Sequence, residues 1–210
     1  MQIIKGIDQG SEQWLKLRLG VATASNFDKI ITPTGKESTQ FEKYALELAT
    51  QTLVSEPDSI YKNEAMQRGN ALEPLARQLY QEITLNFVDE ITMFKSDCGN
   101  FGYSPDGLIG EDGLLEIKCP LATTHLKYLI DNKLPSEYIP QVQGGLLVSG
   151  RKWCDFVSYH PNLKERNMLI IRVKRDEEFI AKLKDGIEKT IKLRDQILTK
   201  LAIDPEYKGE

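Results

Sequence analysis

The chain has 210 residues, enough for one sizeable hydrophobic core, and nothing in its length forces a second. Hydrophobic residues at 40% and charged residues at 28% exclude a disordered chain, a collagen-like repeat and a disulfide scaffold. A formal net charge of −4 excludes a protein that coats nucleic acid by bulk attraction, so any contact with DNA needs local positive charge. Cys98, Cys119 and Cys154 lack CxxC spacing, and His125 and His160 are too few for a histidine cluster. Any metal should therefore be a hard cation on oxygen ligands. Apolar runs such as "GGLLV" are too short to cross a bilayer, and the first residues lack the apolar centre of a signal peptide, so an intracellular protein is expected.

In chain order, "GSEQWLKLRLG" predicts a short helix capped by Ser11, with Trp14 and Leu17 on its buried side and Gly20 as its end. "TASNFDKII" predicts a second helix with Thr23 or Ser25 in its first turn, whose free N–H groups suit an anion. Thr39 and Glu42 read as a capping box for a helix running to about Val54. Helical spacing continues from Asn63 to about Leu85, with a break or kink expected at Gly69 and Pro74. "NFVDEITMFKS", "FGYSP" and "LLEIK" read as strands, the last two forming an antiparallel hairpin through the turn "GEDG". Two helices follow, one capped by Thr123 or Thr124 and one with Pro140 in its first turn and Gly150 as its stop. "KWCDFVSYH" and "NMLIIRVKRD" are the last strands. The final helix carries Ile180, Leu183, Ile187, Ile191, Arg194, Leu198 and Leu201 on one face. The expected fold is α/β, a central mixed β-sheet flanked by α-helices, with residues 1–210 as a single domain.

The stretch "GYSPDGLIGEDGLLEIKC" carries the chemistry. Residues two apart in a strand project from one face, so Glu116 and Lys118 stand about 6.5–7 Å apart along the chain while Ile117 points into the core. Asp106 follows Pro105, which cannot donate to a ladder and marks a strand end or distortion. Two carboxylates brought together need a positive charge between them, and no arginine lies in this hairpin, so a divalent cation is the natural partner. Mg²⁺ on one or two carboxylates, with an adjacent lysine to orient water and offset negative charge, points to phosphodiester hydrolysis. Either fragment alone is an ordinary turn or a surface ion pair. The full pattern P-D-x9-E-x-K is far more specific.

That pattern resembles the PD-(D/E)xK nuclease superfamily, and several blocks together resemble its phage-lambda-type exonuclease (YqaJ-like viral recombinase) family. "WLKLRLGVATAS" is similar to the family's W-x-x-x-R-x-G-x-x-T-A-S block, "RGNALEP" to its G-x-x-x-E block, "SPDGL…LLEIKCP" to its catalytic core and "PQVQGGLLVSG" to its Q-x-Q helix. The blocks span roughly two-thirds of the chain, in family order. The resemblance implies a restriction-endonuclease-like core and a single PD-(D/E)xK nuclease domain. It implies that Asp106 and Glu116 bind Mg²⁺ with the Ile117 carbonyl, that Glu73 helps hold a second ion, and that Mn²⁺ substitutes. It assigns Lys118 to the attacking water and Gln143 to a place beside the nucleophile, with Gln141 the weaker candidate. Arg18 and Ser25 match a 5′-phosphate pocket, and Met66 an apolar wedge at the terminal base pair. Read without the family, Arg18 fits a surface helix equally well, and Ser25 a simple cap.

The implied activity is a Mg²⁺-dependent 5′→3′ exonuclease that degrades one strand of linear double-stranded DNA to 5′-mononucleotides and leaves a 3′ overhang for annealing. A ring-shaped homotrimer, a single-strand annealing protein as partner, and a phage or prophage origin in the bacterial cytoplasm are implied with it. The rivals are a restriction-like or repair endonuclease of the same superfamily and a DNA-binding recombination accessory module without catalysis.

Overall fold

A computed structural model describes residues 1–54, 56 and 64–203, with the side chains of 64–66, 202 and 203 left aside. The strands form two sheets where one was expected. The first runs in the order β1 (Gln2–Ile4), β4 (Met93–Lys95), β5 (Phe101–Tyr103) and β2 (Ala22–Thr23), with only β2 and β5 parallel. The second runs β3 (Val88–Asp89), β6 (Gly107–Ile109), β7 (Gly113–Lys118), β8 (Trp153–Tyr159) and β9 (Met168–Lys174), with only β7 and β8 parallel. Both sheets are mixed, and the α/β class with flanking helices holds.

The segment read as one strand, "NFVDEITMFKS", divides between the sheets: β3 joins the second and β4 the first. The hairpin partner of β7 is likewise β6, not the "FGYSP" strand, which lies in the other sheet. β6 is only three residues long and sits inside a run of turn-forming residues, so its alternation is too short to stand out.

Helix α1 (Glu12–Arg18) is capped as expected by Ser11, whose hydroxyl accepts from Trp14 N–H, but Trp14 and Leu17 are half-buried and none of the helix is fully buried. The second expected helix is a six-residue 3-10 turn, Ala24–Lys29, without a side-chain cap. Helix α2 (Phe41–Leu53) starts after Gln40, so the Thr39–Glu42 capping box does not form; the Ser38 hydroxyl accepts from Gln40 N–H instead. Helix α3 (Glu64–Thr84) runs unbroken through Gly69 and Pro74. Its tertiary packing outweighs the hydrogen bond that Pro74 cannot donate four residues back. Helix α4 (Ala122–Asp131) is capped by Leu121, two or three residues before the expected Thr123 or Thr124. Helix α5 (Ile139–Ser149) has Pro140 in its first turn and ends at Gly150, φ 72°, as its sequence predicts. Helix α6 (Glu177–Ile203) buries Ile180, Leu183, Ile187 and Arg194 along the expected face.

β7 is covered on both sides. Leu114 packs with Leu146, Phe156 and Leu183 under α5 and α6, while Leu115 and Ile117 pack with Ala76, Tyr80 and Val157 under α3. No described helix is long and apolar enough to cross a membrane.

Candidate active site

β6 begins at Gly107 opposite Leu115, so Ile117 lies beyond the last hydrogen-bonded pair on that side and its N–H is free. The Asp106 carboxylate takes that N–H, with Oδ2 accepting at 2.6 Å, while Asp106 N–H reaches the Leu115 carbonyl at 3.1 Å. Two bonds thus hold Asp106 to the strand that carries Glu116 and Lys118. Glu116 is 2% exposed and its lone pairs are shared among three donors. Tyr103 Oη donates to Oε2 at 2.9 Å, and Lys118 Nζ and Gln141 Nε2 donate to Oε1 at 2.6 and 2.5 Å. Lys118 also lies over the Tyr138 ring, 5.3 Å from its centroid.

Burial holds the Asp106 carboxyl well above the ordinary carboxylate range, and the negative charges of Glu116 and Glu73 add to it. Glu73 is raised too, by burial first; Arg77 opposes this and Glu116 reinforces it. Burial alone would pull Lys118 down, but Glu116 and Asp106 outweigh it and keep the ammonium protonated. The site is therefore an acid cluster with more negative charge than its own residues neutralise. Glu73 enters it from α3, its Oε1 accepting from Arg77 Nη2 at 2.6 Å. Arg77 Nε donates in turn to the Asp106 carbonyl at 3.0 Å. A cleft of about 550 Å³ opens here, lined in part by Gln9, Trp14, Glu73, Arg77 and Asp106.

Gln143 lies elsewhere. It is 4% exposed, with Nε2 donating to the Lys174 carbonyl at 2.9 Å and Oε1 accepting from Asp176 N–H at 2.9 Å. Two residues apart on a helix is about 200° of rotation, so Gln141 and Gln143 cannot face the same group. Gln141, expected to be the weaker candidate, is the one at the acids.

The residues expected to grip a phosphate come together beside this cluster. Arg18 Nη2 donates to Ser25 Oγ at 2.9 Å and Thr23 Oγ1 at 3.0 Å, and its guanidinium stacks 4.3 Å from the Trp14 ring centroid. Trp14 Nε1 donates to Ser104 Oγ at 3.0 Å, and Arg18 Nη1 reaches the same hydroxyl at 3.5 Å. Burial lowers Arg18 to about 10, which leaves it a cation at neutral pH. The helix-end contribution expected of Ser25 is not available, because the 3-10 turn that holds it is too short to sum a useful dipole. What remains for an anion is a guanidinium framed by hydroxyls. Met66 falls on α3, and its side chain lies outside the described residues.

Residues 13–152 match the model of the YqaJ-like viral recombinase domain. The chain belongs to this family. Among solved structures it is similar to the alkaline exonuclease LHK-Exo of Laribacter hongkongensis, at 34% identity and a TM-score of 0.84, over 91% of this chain and 96% of that one. LHK-Exo in complex with dAMP gives 35% identity and a TM-score of 0.82, over 91% and 97% of the two chains. A phage related exonuclease from Haemophilus somnus 129PT, at 16% identity, shares the fold, with a TM-score of 0.70 over 86% and 96%. No curated protein sequence matches. The fold of this YqaJ-family chain is thus restriction-endonuclease-like.

Family members are metal-dependent nucleases, and the donor set here fits a hard ion. Among the described residues, no three His, Cys, Asp or Glu side chains gather tightly enough to hold an ion by themselves. Asp106 and Glu116 nevertheless offer carboxylate oxygens in a cluster whose excess negative charge a divalent cation would relieve, with backbone carbonyl and water oxygens to complete the shell.

Four residues of this YqaJ-family site escape the sequence reading, and each carries some signal. Arg77 stands four residues after Glu73 on one helix, a standard ion-pair spacing. Ser104 precedes the Pro-Asp pair. Tyr103 is buried and holds Glu116. Trp14, read on the buried side of α1 and as the first residue of the W-x-x-x-R block but given no role, is the stacking partner of Arg18. The approach of α5 to Tyr103 depends on Gly145, where a Cβ would lie 2.8 Å from the Tyr103 ring. We expect Gly145→Ala to destabilise the protein by about 1–3 kcal/mol through overpacking. Its melting temperature should fall, and an unchanged one would contradict this packing.

Proposed function

We propose that this chain is a Mg²⁺-dependent 5′→3′ exonuclease that removes 5′-mononucleotides from one strand of linear double-stranded DNA and leaves a 3′ overhang for recombination by annealing. One observation carries the choice of exonuclease over endonuclease: Ser104 of the Arg18 pocket and Asp106 of the acid cluster are separated by a single residue. A built receptor for a phosphate next to a hydrolytic centre has a use when a strand terminus must be held there. The likeness to LHK-Exo, an alkaline exonuclease and one seen with the mononucleotide dAMP, supports the same reading.

In this reading Asp106, Glu116 and the Ile117 carbonyl hold Mg²⁺, Glu73 helps hold a second ion, and Mn²⁺ substitutes. Bound there, the ions supply Lewis-acid activation of the phosphate and of water. The chain's own groups do the rest. Arg18, with Ser25, Thr23 and Ser104, grips the 5′-phosphate and fixes the strand's register. Lys118, kept cationic, orients the water and offsets charge gathering on the scissile phosphate. Gln141, bonded to Glu116, serves in this reading as the amide beside the nucleophile. Residues 1–210 act as one domain, in a homotrimer that encircles duplex DNA, with a single-strand annealing protein as partner and the cytoplasm of a phage-bearing bacterium as the setting.

The test uses linear and covalently closed duplex, labelled at either end, with Mg²⁺ or EDTA. Linear DNA should shorten from its 5′ ends only with Mg²⁺, and closed circles should survive. Cutting of closed circles would favour the endonuclease reading. Ends bearing a 5′-phosphate should be digested faster than 5′-hydroxyl ends by the parent, and at equal rates by Arg18→Ala. A parent with no such preference would count against the pocket.

A further inference from the structure

Arg77 links three acidic residues that lie far apart in the chain. Its Nη2 donates to Glu73 at 2.6 Å, its Nη1 pairs with Glu90 at 2.8 Å, and its Nε donates to the Asp106 carbonyl at 3.0 Å. The side chain is 13% exposed, and each of its three nitrogens is engaged by an oxygen of the protein. It is therefore not poised to take a substrate phosphate. We propose that Arg77 is a positioning residue: its rigid fork fixes Glu73 against the Asp106 peptide, while its charge weakens the hold of the acid cluster on a divalent ion. The inference deepens the metal-dependent reading above and rests on it.

The two effects have different physical origins. Alignment comes from the planar guanidinium, which can bond an α3 carboxylate and the main chain before β6 at once; an ammonium cannot reproduce that geometry. The moderation of affinity comes from one fixed positive charge beside Asp106 and Glu73, and any cation at that place supplies it. A neutral side chain should tighten ion binding yet slow the reaction. A lysine should restore the first property and not the second. A residue that merely supported the fold would lose both together.

The test measures Ca²⁺ binding by calorimetry and Mg²⁺-supported digestion of linear duplex, in the parent, Arg77→Gln and Arg77→Lys. Arg77→Gln should bind Ca²⁺ about tenfold more tightly. Its kcat should fall about a hundredfold with KM for DNA ends unchanged, as misalignment predicts. Arg77→Lys should bind Ca²⁺ like the parent and remain as slow as the glutamine variant. If the parent binds Ca²⁺ and Arg77→Gln binds it no more tightly, or if Arg77→Lys regains the parent's kcat, the inference is overturned and the proposed function stands. A parent that binds no Ca²⁺ and ignores Mg²⁺ would overturn the metal-dependent reading itself.

Discussion

Asp106→Asn should abolish digestion of linear duplex and, in EDTA, leave the protein more stable than its parent. The loss of activity should be about a thousandfold or more, the rate equivalent of roughly 4 kcal/mol of charge stabilisation. The gain in stability follows from the same carboxylate. Its proton affinity in the folded chain is raised, first by burial and then by Glu116 and Glu73. A carboxyl raised in this way contributes stability that is complete below its unfolded pKa of about 3.9 and is lost as pH climbs through the folded value. At neutral pH without metal, keeping a carboxyl at position 106 is therefore a burden on the fold. Asparagine removes the charge and keeps an oxygen for Ile117 N–H. In EDTA at neutral pH the variant should melt higher, by about 2–4 °C for each kcal/mol recovered in a chain of this size. Mg²⁺ should raise the parent's melting temperature and leave the variant's nearly unmoved. A variant that melts lower in EDTA would mean that the carboxylate is stabilising as it stands.

Lys118→Met should show the opposite pattern in the same melts. It removes the cation held 2.6 Å from a carboxylate that is 2% exposed, and breaking a buried pair on one side costs about 3–5 kcal/mol. Methionine keeps much of the volume, so the deficit is electrostatic, and Tyr103 and Gln141 remain on Glu116 to limit it. Stability lost in EDTA should be regained with Mg²⁺. Hydrolysis should not be regained: turnover should stay down about a hundredfold to a thousandfold while binding of DNA ends persists, which gel-shift and single-turnover digestion can separate. A variant that digests linear duplex at the parent's rate would show that Lys118 serves structure alone. The pair of variants thus divides the site into a charge that folding resists and a charge that folding uses.

The legible part of the molecule is the part fixed by local rules. The period-two spacing of Glu116 and Lys118 sets both on one face of β7, and the structure joins them. The stripe of α6 and the Pro140 and Gly150 signals of α5 are equally local. What the sequence hides are choices made between distant segments. Alternation in "NFVDEITMFKS" says strand but not which sheet, and two sheets take it. The Q-x-Q pair offers two amides on different sides of one helix, and only the seating of α5 selects Gln141. A clue was present: Gln141 and Gly145 are four apart and share a face, and Gly145 is where the helix meets Tyr103. The Thr39–Glu42 capping box failed for a related reason, since the chain turns at Ser38 and enters α2 one residue later than the motif requires.

The segment Ser104–Pro105–Asp106 has a consequence for step length. Two residues of fully extended chain reach about 7 Å at most, and the buried Pro105 stiffens the link. On the proposed reading, a covalent ruler therefore separates the group that seizes a strand's tip from the group that serves its cleavage. Such a gauge cannot stretch to admit a longer bite, so the DNA would be shortened in units of one fixed size, whatever its base composition.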